Sequence, residues 1–322
     1  MSTRCTAVMR IGLSSNWREK KGLQKDGLVL TALLESQGHT VYPWQFDDNH
    51  AGECCDLIIF LEVINPVFLK WAPRCWLYVN PEWYRPALNY LMPRIELVLC
   101  KTQDAVRLMT PIAQQVYYTG FTAEDRFNPK YAQRREFLHV AGGSQAKNTL
   151  AVLQAWAQFQ LPFQLTVVSR NHTGIIPNVR FVKEASDEDL KAMQNGCLFH
   201  IMASEYEGFG MSLHESISTG AVVITGDYPP LNELAACPAR LRVPSFTTGQ
   251  QGVATTHKVA ANAILAAVDK CSRMPREEVT ECVRNARKCY TEDRAKFEGR
   301  FLQLIKHTSS LGRDRLLVSE LA

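Results

Sequence analysis

The chain has 322 residues, of which 46% are hydrophobic and 21% charged, and its formal net charge at pH 7 is +4. This length is sufficient for two domains of ordinary size, each with its own core. A membrane-spanning helix needs about 20 consecutive apolar residues, and no apolar run in the sequence approaches that length. We therefore predict a globular protein without a membrane span. The mild positive charge is compatible with an anionic nucleotide, nucleic acid or acidic lipid, and it selects none of them.

The N-terminal segment and the cysteines bear on the cellular compartment. Residues 1–15 contain Arg4 and Arg10 but no long apolar core, so we expect no signal peptide. The ten cysteines are scattered, Cys54 and Cys55 are adjacent, and no Cys-x-x-Cys pair occurs. These features predict a reduced, cytoplasmic protein without a structural zinc site.

Apolar runs alternate with helical patterns through the first half of the chain. Helices are predicted at residues 28–37 and 103–109. The strands are predicted at residues 8–13, 40–44, 56–63, 75–79, 97–100 and 116–119. Continuous apolar runs separated by helices are typical of strands buried on both faces, so we predict a parallel, doubly wound α/β sheet.

The second half repeats this pattern after a polar segment. Residues 121–135 are polar and include Pro129, which predicts a domain boundary, so we expect a first domain at residues 1–133 and a second at 134–290. The strands of the second domain are predicted at residues 137–141, 164–169 and 179–182. The helices are predicted at residues 148–159, from 187 onward, and, beyond residue 242, at 258–271, 276–290 and 294–307.

The stretch from residue 198 to residue 234 carries most of the functional signal. A buried strand is predicted at 198–203 and a helix at 211–219, with a glycine-containing loop between them. Gly208 and Gly210 allow close approach of the backbone to a ligand, and the start of a helix presents unpaired N–H groups and the positive end of its dipole. This arrangement favours binding of phosphate.

Two glutamates flank that helix start. Glu207 lies before the helix and Glu215 about one turn inside it, separated by seven residues, and Gly220 closes the helix. Together with the EGFG sequence at residues 207–210, this pattern resembles the retaining GT-B glycosyltransferases of glycosyltransferase family 4, the glycosyl transferases group 1. The alternative is a surface turn with one salt-bridging and one solvated glutamate.

The resemblance implies the architecture and the site. It implies a GT-B fold, in which two Rossmann-like, doubly wound domains face a central cleft, and a last helix, at residues 291–322, that crosses back to the first domain. It further implies that Glu215 accepts hydrogen bonds from the donor ribose hydroxyls and that Glu207 supports positive charge at the anomeric carbon. The backbone N–H groups of Phe209, Gly210 and Met211, with Lys147, would stabilise the departing diphosphate.

Lys147 lies at the start of a predicted helix, where an ammonium group is disfavoured unless an anion lies beside it. The loop at residues 139–149 is similar to the donor loop of the family, although the arginine usual before the lysine is absent. Ser144 lies in the same loop and is a candidate hydroxyl donor to the nucleotide sugar. The alternative for Lys147 is an exposed lysine beside a turn.

Polar and aromatic residues follow a strand of the first domain, at the rim where the resemblance places the acceptor. Asn80 and Glu82 are candidate acceptor-binding groups, and Trp83 could stack on a sugar or a base. The alternative is a proline-containing turn anchored by aromatic residues. Residues 14–27, with lysines and one arginine around two glycines, are either a phosphate-binding loop or a solvated charge run.

The acidic sequence Asp187-Glu188-Asp189 superficially resembles a metal-binding Asp-x-Asp motif of another glycosyltransferase fold. Because Ser186 precedes it, we interpret it as a capped helix start and predict no catalytic metal and no cofactor. We interpret His214, between the two glutamates, as a packing or polar helix residue.

The sequence thus predicts a metal-independent, retaining hexosyl- or pentosyltransferase that uses a nucleotide-diphosphate sugar. The acceptor stays open: a glycan, a lipid-linked glycan, a protein hydroxyl or a hydroxylated base in DNA, as for phage-type enzymes. A hydrolase or epimerase on the same fold, and a non-catalytic module that binds nucleotide sugars, are alternatives of other classes.

Overall fold

The computed structural model describes residues 8–19, 22–50, 52–234, 236, 238, 241–311 and 316–317. The chain divides into two compact units. The first comprises Met1–Thr122, Gly252–Ala254 and Asp293–Ala322. The second comprises Ala123–Gln251 and Thr255–Glu292. Residues 123–133, which we assigned to the first domain from the sequence, group with the second unit.

The first unit contains a six-stranded parallel sheet within its described residues. Its strands are β1 (Arg10–Ser15), β2 (Thr40–Gln45), β3 (Leu57–Leu61), β4 (Arg74–Val79), β5 (Leu97–Cys100) and β6 (Val116–Tyr118). They lie in the order β2-β1-β3-β4-β5-β6. Every residue of β3, β4 and β5 is buried, as their continuous apolar sequences predict for strands covered on both faces.

The helices of the first unit are α1 (Gly22–Glu35) and α2 (Gln103–Met109), with 3₁₀ segments at Phe68–Lys70 and Pro86–Arg94. Helix α1 begins six residues earlier than predicted, so Lys25 and Gly27 of the predicted basic loop lie inside a helix. A Cβ atom at Gly27 would lie 2.6 Å from the Trp17 ring, so this glycine allows close packing rather than loop formation. Lys20 and Lys21 lie outside the described residues.

The second unit contains another six-stranded parallel sheet within its described residues. Its strands are β7 (Arg134–Gly142), β8 (Leu165–Ser169), β9 (Val179–Val182), β10 (Cys197–Met202), β11 (Val222–Gly226) and β12 (Arg242–Val243). Its helices are α3 (Thr149–Phe159), α4 (Asp187–Gly196), α5 (Met211–Ser218), α6 (Leu231–Leu234) and α7 (Ala261–Ser272). The prediction of two parallel, doubly wound α/β sheets is therefore confirmed.

The strand order of the second unit determines where a ligand can bind. The sheet runs β12-β11-β10-β7-β8-β9, so the chain winds from β7 to one edge and then returns to β10, beside β7. The carboxyl ends of β7 and β10 thus form the switch point at which open α/β sheets bind ligands. Phe137 and Phe199 stack across these two strands, with ring centroids 5.0 Å apart, and join the core beneath the switch point.

Two features beyond β12 differ from the predicted helices. The strands β13 (Ser245–Gln251) and β14 (Ala254–Val259) form a hairpin. Its β-branched residues and Gly252, with φ +60°, are typical of a strand-turn-strand segment. A single 36-residue helix, α8 (Arg276–Leu311), replaces the two predicted segments, because the polar residues 291–293 continue the helix instead of ending it. Among the described helices, none has the length and hydropathy to cross a membrane.

Candidate active site

The switch point brings together the two residues for which we predicted the central chemical roles. Lys147 follows β7 and Glu207 follows β10, and the Lys147 ammonium forms an ion pair with Oε1 of Glu207. Both side chains are largely buried, with 17% and 16% of their surface exposed. The Ser204 hydroxyl donates a hydrogen bond to the same carboxylate oxygen at 2.6 Å, so this oxygen is held by two donors.

A backbone hydrogen bond joins the two loops that carry this pair. The N–H of Glu205 donates to the carbonyl of Ala146 at 2.6 Å, one residue from Lys147 in one loop and two residues from Glu207 in the other. The Glu205 carbonyl in turn accepts from the N–H of His257 in β14 at 2.8 Å. The sequence contained no signal for these links, because they join segments that are distant along the chain.

We predicted that Lys147 opens α3, but it lies before the helix. The helix begins at Thr149, and Asn148, in the left-handed conformation with φ 52°, precedes it. The side chain of Asn148 donates to the Val259 carbonyl at 2.9 Å and anchors the loop. Ser144 accepts a hydrogen bond from the N–H of Ala146 at 3.2 Å, so its hydroxyl supports the local turn. A contact of Ser144 with a donor stays a prediction.

The glycine loop leads into α5 as the sequence predicted. Gly210, with φ 78°, precedes the first helical residue, Met211, and takes a left-handed conformation that favours glycine. Phe209 is buried, and Gly220, with φ 79°, closes the helix. Because the first N–H groups of a helix have no acceptor within it, this end of α5 is suited to an anion.

Glu215 lies on the buried face of α5, with 4% of its surface exposed. Its Oε2 accepts a hydrogen bond from Nε2 of Gln194, on α4, at 3.0 Å. A buried carboxylate requires such donors, since desolvation of an unbonded charge is costly. Gln194 carried no motif in the sequence, and only the packing of α4 against α5 reveals its contact with Glu215.

Three buried histidines support the site without providing charge. Burial lowers the pKa of His139, His200 and His214 to about 4 each. Nδ1 of His214 accepts from the N–H of Ala123 at 3.1 Å, as expected of a packing residue. His139 lies within hydrogen-bond distance of the Ile201 carbonyl, 2.9 Å, and the Thr149 hydroxyl, 3.0 Å, so it joins β7 to β10 and α3 at the switch point.

The three predicted acceptor-side residues lie in the first unit and differ in exposure. Glu82 is buried, whereas Trp83 is 51% exposed. The Asn80 amide donates to Glu62 at 2.9 Å and accepts from the Lys101 ammonium at 3.0 Å. Their contact with an acceptor stays a prediction.

Buried charges surround Asn80 at the carboxyl ends of β3, β4 and β5. Lys101 forms an ion pair with Asp26 of α1, and both side chains are almost completely buried. Burial raises the pKa of Glu62, whose backbone is left-handed with φ 70°. The arrangement can accept and donate hydrogen bonds at the end of the first sheet where polar ligands bind in α/β folds.

The acidic residues 187–189 form the first turn of α4, as predicted. The Ser186 hydroxyl accepts from the N–H of Asp189 at 3.0 Å and caps the helix. Within the described residues, no three His, Cys, Asp or Glu side chains are grouped so that they could hold a metal ion. Independence of a metal stays a prediction.

Comparison with known proteins places this site in a family. A model described as Glycosyl transferases group 1 matches residues 121–288, slightly more than half of the chain. A GDP-mannose:cellobiosyl-diphosphopolyprenol alpha-mannosyltransferase from Xanthomonas oryzae pv. oryzae is 29% identical over 101 residues. That alignment covers 27% of this chain and 27% of the relative, so the match spans about a quarter of the relative's length.

Solved structures share the fold over most of the chain. Sucrose-phosphate synthase from Thermosynechococcus elongatus has a TM-score of 0.69 at 14% identity, covering 92% of this chain and 98% of that chain. HepE from Anabaena, in complex with UDP and glucose, has a TM-score of 0.65 at 13% identity, covering 92% and 98%. Some longer solved chains are covered over little more than half of their length.

These likenesses show a GT-B-type fold. The matched segment includes both strands of the switch point, the Lys147–Glu207 pair and Glu215. The chain therefore belongs to the glycosyl transferases group 1.

Proposed function

We propose that this protein is a retaining, metal-independent glycosyltransferase that moves a hexose or pentose from a nucleotide-diphosphate sugar to an acceptor hydroxyl. The observation that carries the proposal is the Lys147–Glu207 ion pair at the switch point of the second sheet, beside the start of α5. The family match supports transfer, and the presence of UDP and a sugar in related structures supports a nucleotide-sugar donor.

Lys147 and α5 act on the leaving group in this proposal. The ammonium of Lys147 and the first N–H groups of α5 stabilise the negative charge that develops on the departing diphosphate. Both groups are held in place before the reaction, Lys147 by its ion pair and α5 by the conformation of Gly210. They supply positive charge without a metal ion.

Glu207 acts on the sugar. Its carboxylate is oriented by Lys147 and Ser204 and stabilises the positive charge that develops at the anomeric carbon. The family resemblance supports retention of configuration. Glu215, about one turn into α5, accepts hydrogen bonds from the ribose hydroxyls of the donor.

The acceptor hydroxyl is supplied by a molecule that binds the first unit. Asn80 and Glu82 provide polar groups there, and the exposed Trp83 ring can stack on the apolar face of a sugar or on a base. A glycan and a hydroxylated DNA base are therefore both tested as acceptors.

The test is turnover of UDP-, GDP-, ADP- and dTDP-sugars by the wild type, Glu207→Gln and Glu205→Gln. Glu205 is the matched control, because it is a carboxylate in the same loop whose side chain pairs with Lys258 at 3.5 Å. We expect release of one nucleoside diphosphate by the wild type and by Glu205→Gln, but not by Glu207→Gln. Release should persist in EDTA, and the anomeric configuration of the product should match the donor by NMR.

The acceptor is identified in parallel lanes that contain mixed glycans or hydroxymethylated DNA, by the gain of sugar mass. Binding of a donor without consumption in any lane would contradict the proposal and favour a non-catalytic module. Consumption that releases free sugar in the presence of every acceptor would favour a hydrolase.

A further inference from the structure

A completely buried arginine lies behind Glu215. Arg126, in the polar segment that precedes β7, has no exposed surface. Its Nε donates to Oε1 of Gln194 at 2.5 Å, and its Nη2 donates to the backbone carbonyl of Asp187 at 2.9 Å. Its Nη1 pairs with the carboxylates of Asp187, at 3.0 Å, and Glu124, at 3.3 Å. The guanidinium charge is thus compensated on the side away from Gln194.

The backbone of Arg126 is anchored as firmly as its side chain. Its N–H donates to the Ser218 hydroxyl, at the end of α5, at 3.0 Å. Its carbonyl accepts from Nδ2 of Asn195, on α4, at 2.8 Å. Arg126 therefore has a defined position relative to both helices that carry Gln194 and Glu215.

The chemistry of the three side chains gives their hydrogen bonds one direction. A guanidinium group only donates and a carboxylate only accepts, so the Gln194 amide must point its oxygen to Arg126 and its nitrogen to Glu215. The opposite amide orientation would place N–H against N–H and oxygen against oxygen. The two observed distances, 2.5 Å and 3.0 Å, agree with this single arrangement.

This arrangement orients the Glu215 carboxylate without neutralising it. A direct arginine–carboxylate pair is frequently bidentate and would occupy both oxygens. The neutral Gln194 amide instead donates to Oε2, and a carboxylate can accept about four hydrogen bonds. Glu215 can therefore accept further hydrogen bonds from ligand hydroxyls while its orientation is held.

We propose that Arg126 and Gln194 are positioning residues, which orient Glu215 so that it recognises the vicinal ribose hydroxyls of a nucleoside diphosphate. This inference rests on the proposed function, in which Glu215 contacts the donor ribose. The two hydrogen bonds that run from Arg126 through Gln194 to Glu215 form a relay. Loss of this relay removes the preference for a ribose that carries both hydroxyls and leaves the contacts of the base and the diphosphate intact.

The test compares binding of UDP, GDP and ADP with binding of their 2′,3′-dideoxy forms, by calorimetry, to the wild type and Gln194→Leu. We expect the wild type to bind one ribonucleotide at least about tenfold more tightly than its dideoxy form, since hydrogen bonds to charged groups are the strong ones. Gln194→Leu should bind both forms with similar affinity, near that of the wild type for the dideoxy nucleotide.

Three further variants separate positioning from general structural damage. Arg126→Leu should reduce the discrimination, and Arg126→Lys, which keeps a donor for Oε1 of Gln194, should restore part of it. Glu188→Gln is the control, because Glu188 is an exposed carboxylate on α4, the helix that carries Gln194. It should bind both nucleotide forms as the wild type does. Retained affinity for the dideoxy form shows that a variant is folded.

The outcomes distinguish this inference from the proposed function. If Gln194→Leu keeps the full preference for the ribonucleotide, the inference is overturned although sugar transfer stands. If the wild type has no preference, the inference is equally overturned. Preference without sugar transfer supports the relay and contradicts the proposed function. Failure to bind UDP, GDP and ADP overturns the inference, and it contradicts the proposed function only if dTDP-sugars are not consumed either.

Discussion

Lys147 and Glu207, separated by 60 positions in the sequence, form an ion pair at the adjacent carboxyl ends of β7 and β10. Each is the residue that the family resemblance associates with charge in the reaction, the diphosphate for one and the anomeric carbon for the other. The pair holds both side chains in the site, and a bound diphosphate would compete with Glu207 for the ammonium.

Replacement of Lys147 tests the positive charge at the switch point. Lys147→Met should lower kcat by about 10²-fold to 10³-fold, because a preorganised group that stabilises developing charge is lost. It should also weaken binding of the nucleoside diphosphate product. Steady-state kinetics and calorimetry measure both effects.

Lys258→Met is the matched control for Lys147→Met. Lys258 pairs with Glu205 in the same region, at 3.5 Å, and its side chain is 48% exposed. We expect it to change kcat little, since exposed ion pairs contribute little. Equal losses of kcat in the two variants would contradict a specific role of Lys147.

Acid should destabilise the second unit through its buried histidines. Histidine has a pKa near 6.5 in the unfolded chain, whereas burial lowers the pKa of His139, His200 and His214 to about 4. Between these values the unfolded chain binds more protons, so stability falls as the pH drops from 6.5 to 4. Each histidine contributes on the order of 1 kcal/mol per pH unit in that window.

Urea unfolding of the wild type and His214→Asn at pH 7.0, 6.0 and 5.0 checks this prediction. Asparagine keeps an acceptor in reach of the Ala123 N–H but does not titrate in this window. The variant should lose less stability per pH unit than the wild type. If the free energy of unfolding depends on pH equally in the two proteins, His214 is not buried in its neutral form.

The Lys101–Asp26 pair in the first unit should be sensitive to removal of one partner. Asp26→Asn leaves the buried Lys101 ammonium without its carboxylate, and breaking such a pair costs about 3–5 kcal/mol. We expect a fall of several degrees in Tm, measured by calorimetry. Asp48→Asn, which breaks an exposed pair with Arg18, should leave Tm almost unchanged. Similar Tm values for Asp26→Asn and the wild type would refute the predicted stabilising role of this pair.

The turn of the hairpin should tolerate no side chain at Gly252. A Cβ atom there would lie 2.5 Å from the Pro81 carbonyl, and the residue has φ +60°. The N–H of Val253 donates to the same carbonyl at 3.0 Å. Gly252→Ala should break this hydrogen bond and loosen the turn that contains Asn80 and Glu82.

Hydrogen exchange of residues 80–84 measures that effect. We expect faster exchange in Gly252→Ala than in the wild type and in Gly249→Ala. Gly249 lies in the same hairpin with φ 152°, so Gly249→Ala also strains the backbone. A Cβ there would be 3.6 Å from the nearest atom, the Thr256 hydroxyl oxygen, so this variant controls for strain without a clash at Pro81. Unchanged protection in Gly252→Ala would show that the contact with Pro81 does not hold the turn.

Much of the fold was predictable because the signals are local. The apolar runs of β3, β4 and β10 predicted buried parallel strands, and Gly210 and Gly220 marked the ends of α5 correctly. Local signals also misled where a residue type serves two purposes. Gly22 and Gly27 indicated a loop, although both lie in α1, and the polar residues 291–293 indicated a break that α8 does not contain.

Patterns among neighbouring residues were enough to predict the two α/β sheets, the glycine loop, the start of α5 and the family. Tertiary packing alone sets the contacts of Lys147 with Glu207, of Arg126 with Gln194 and of Lys101 with Asp26. These partners are 60 to 75 positions apart. They meet because of the order in which parallel strands lie side by side and the packing of helices against them, which periodicity along the chain does not encode.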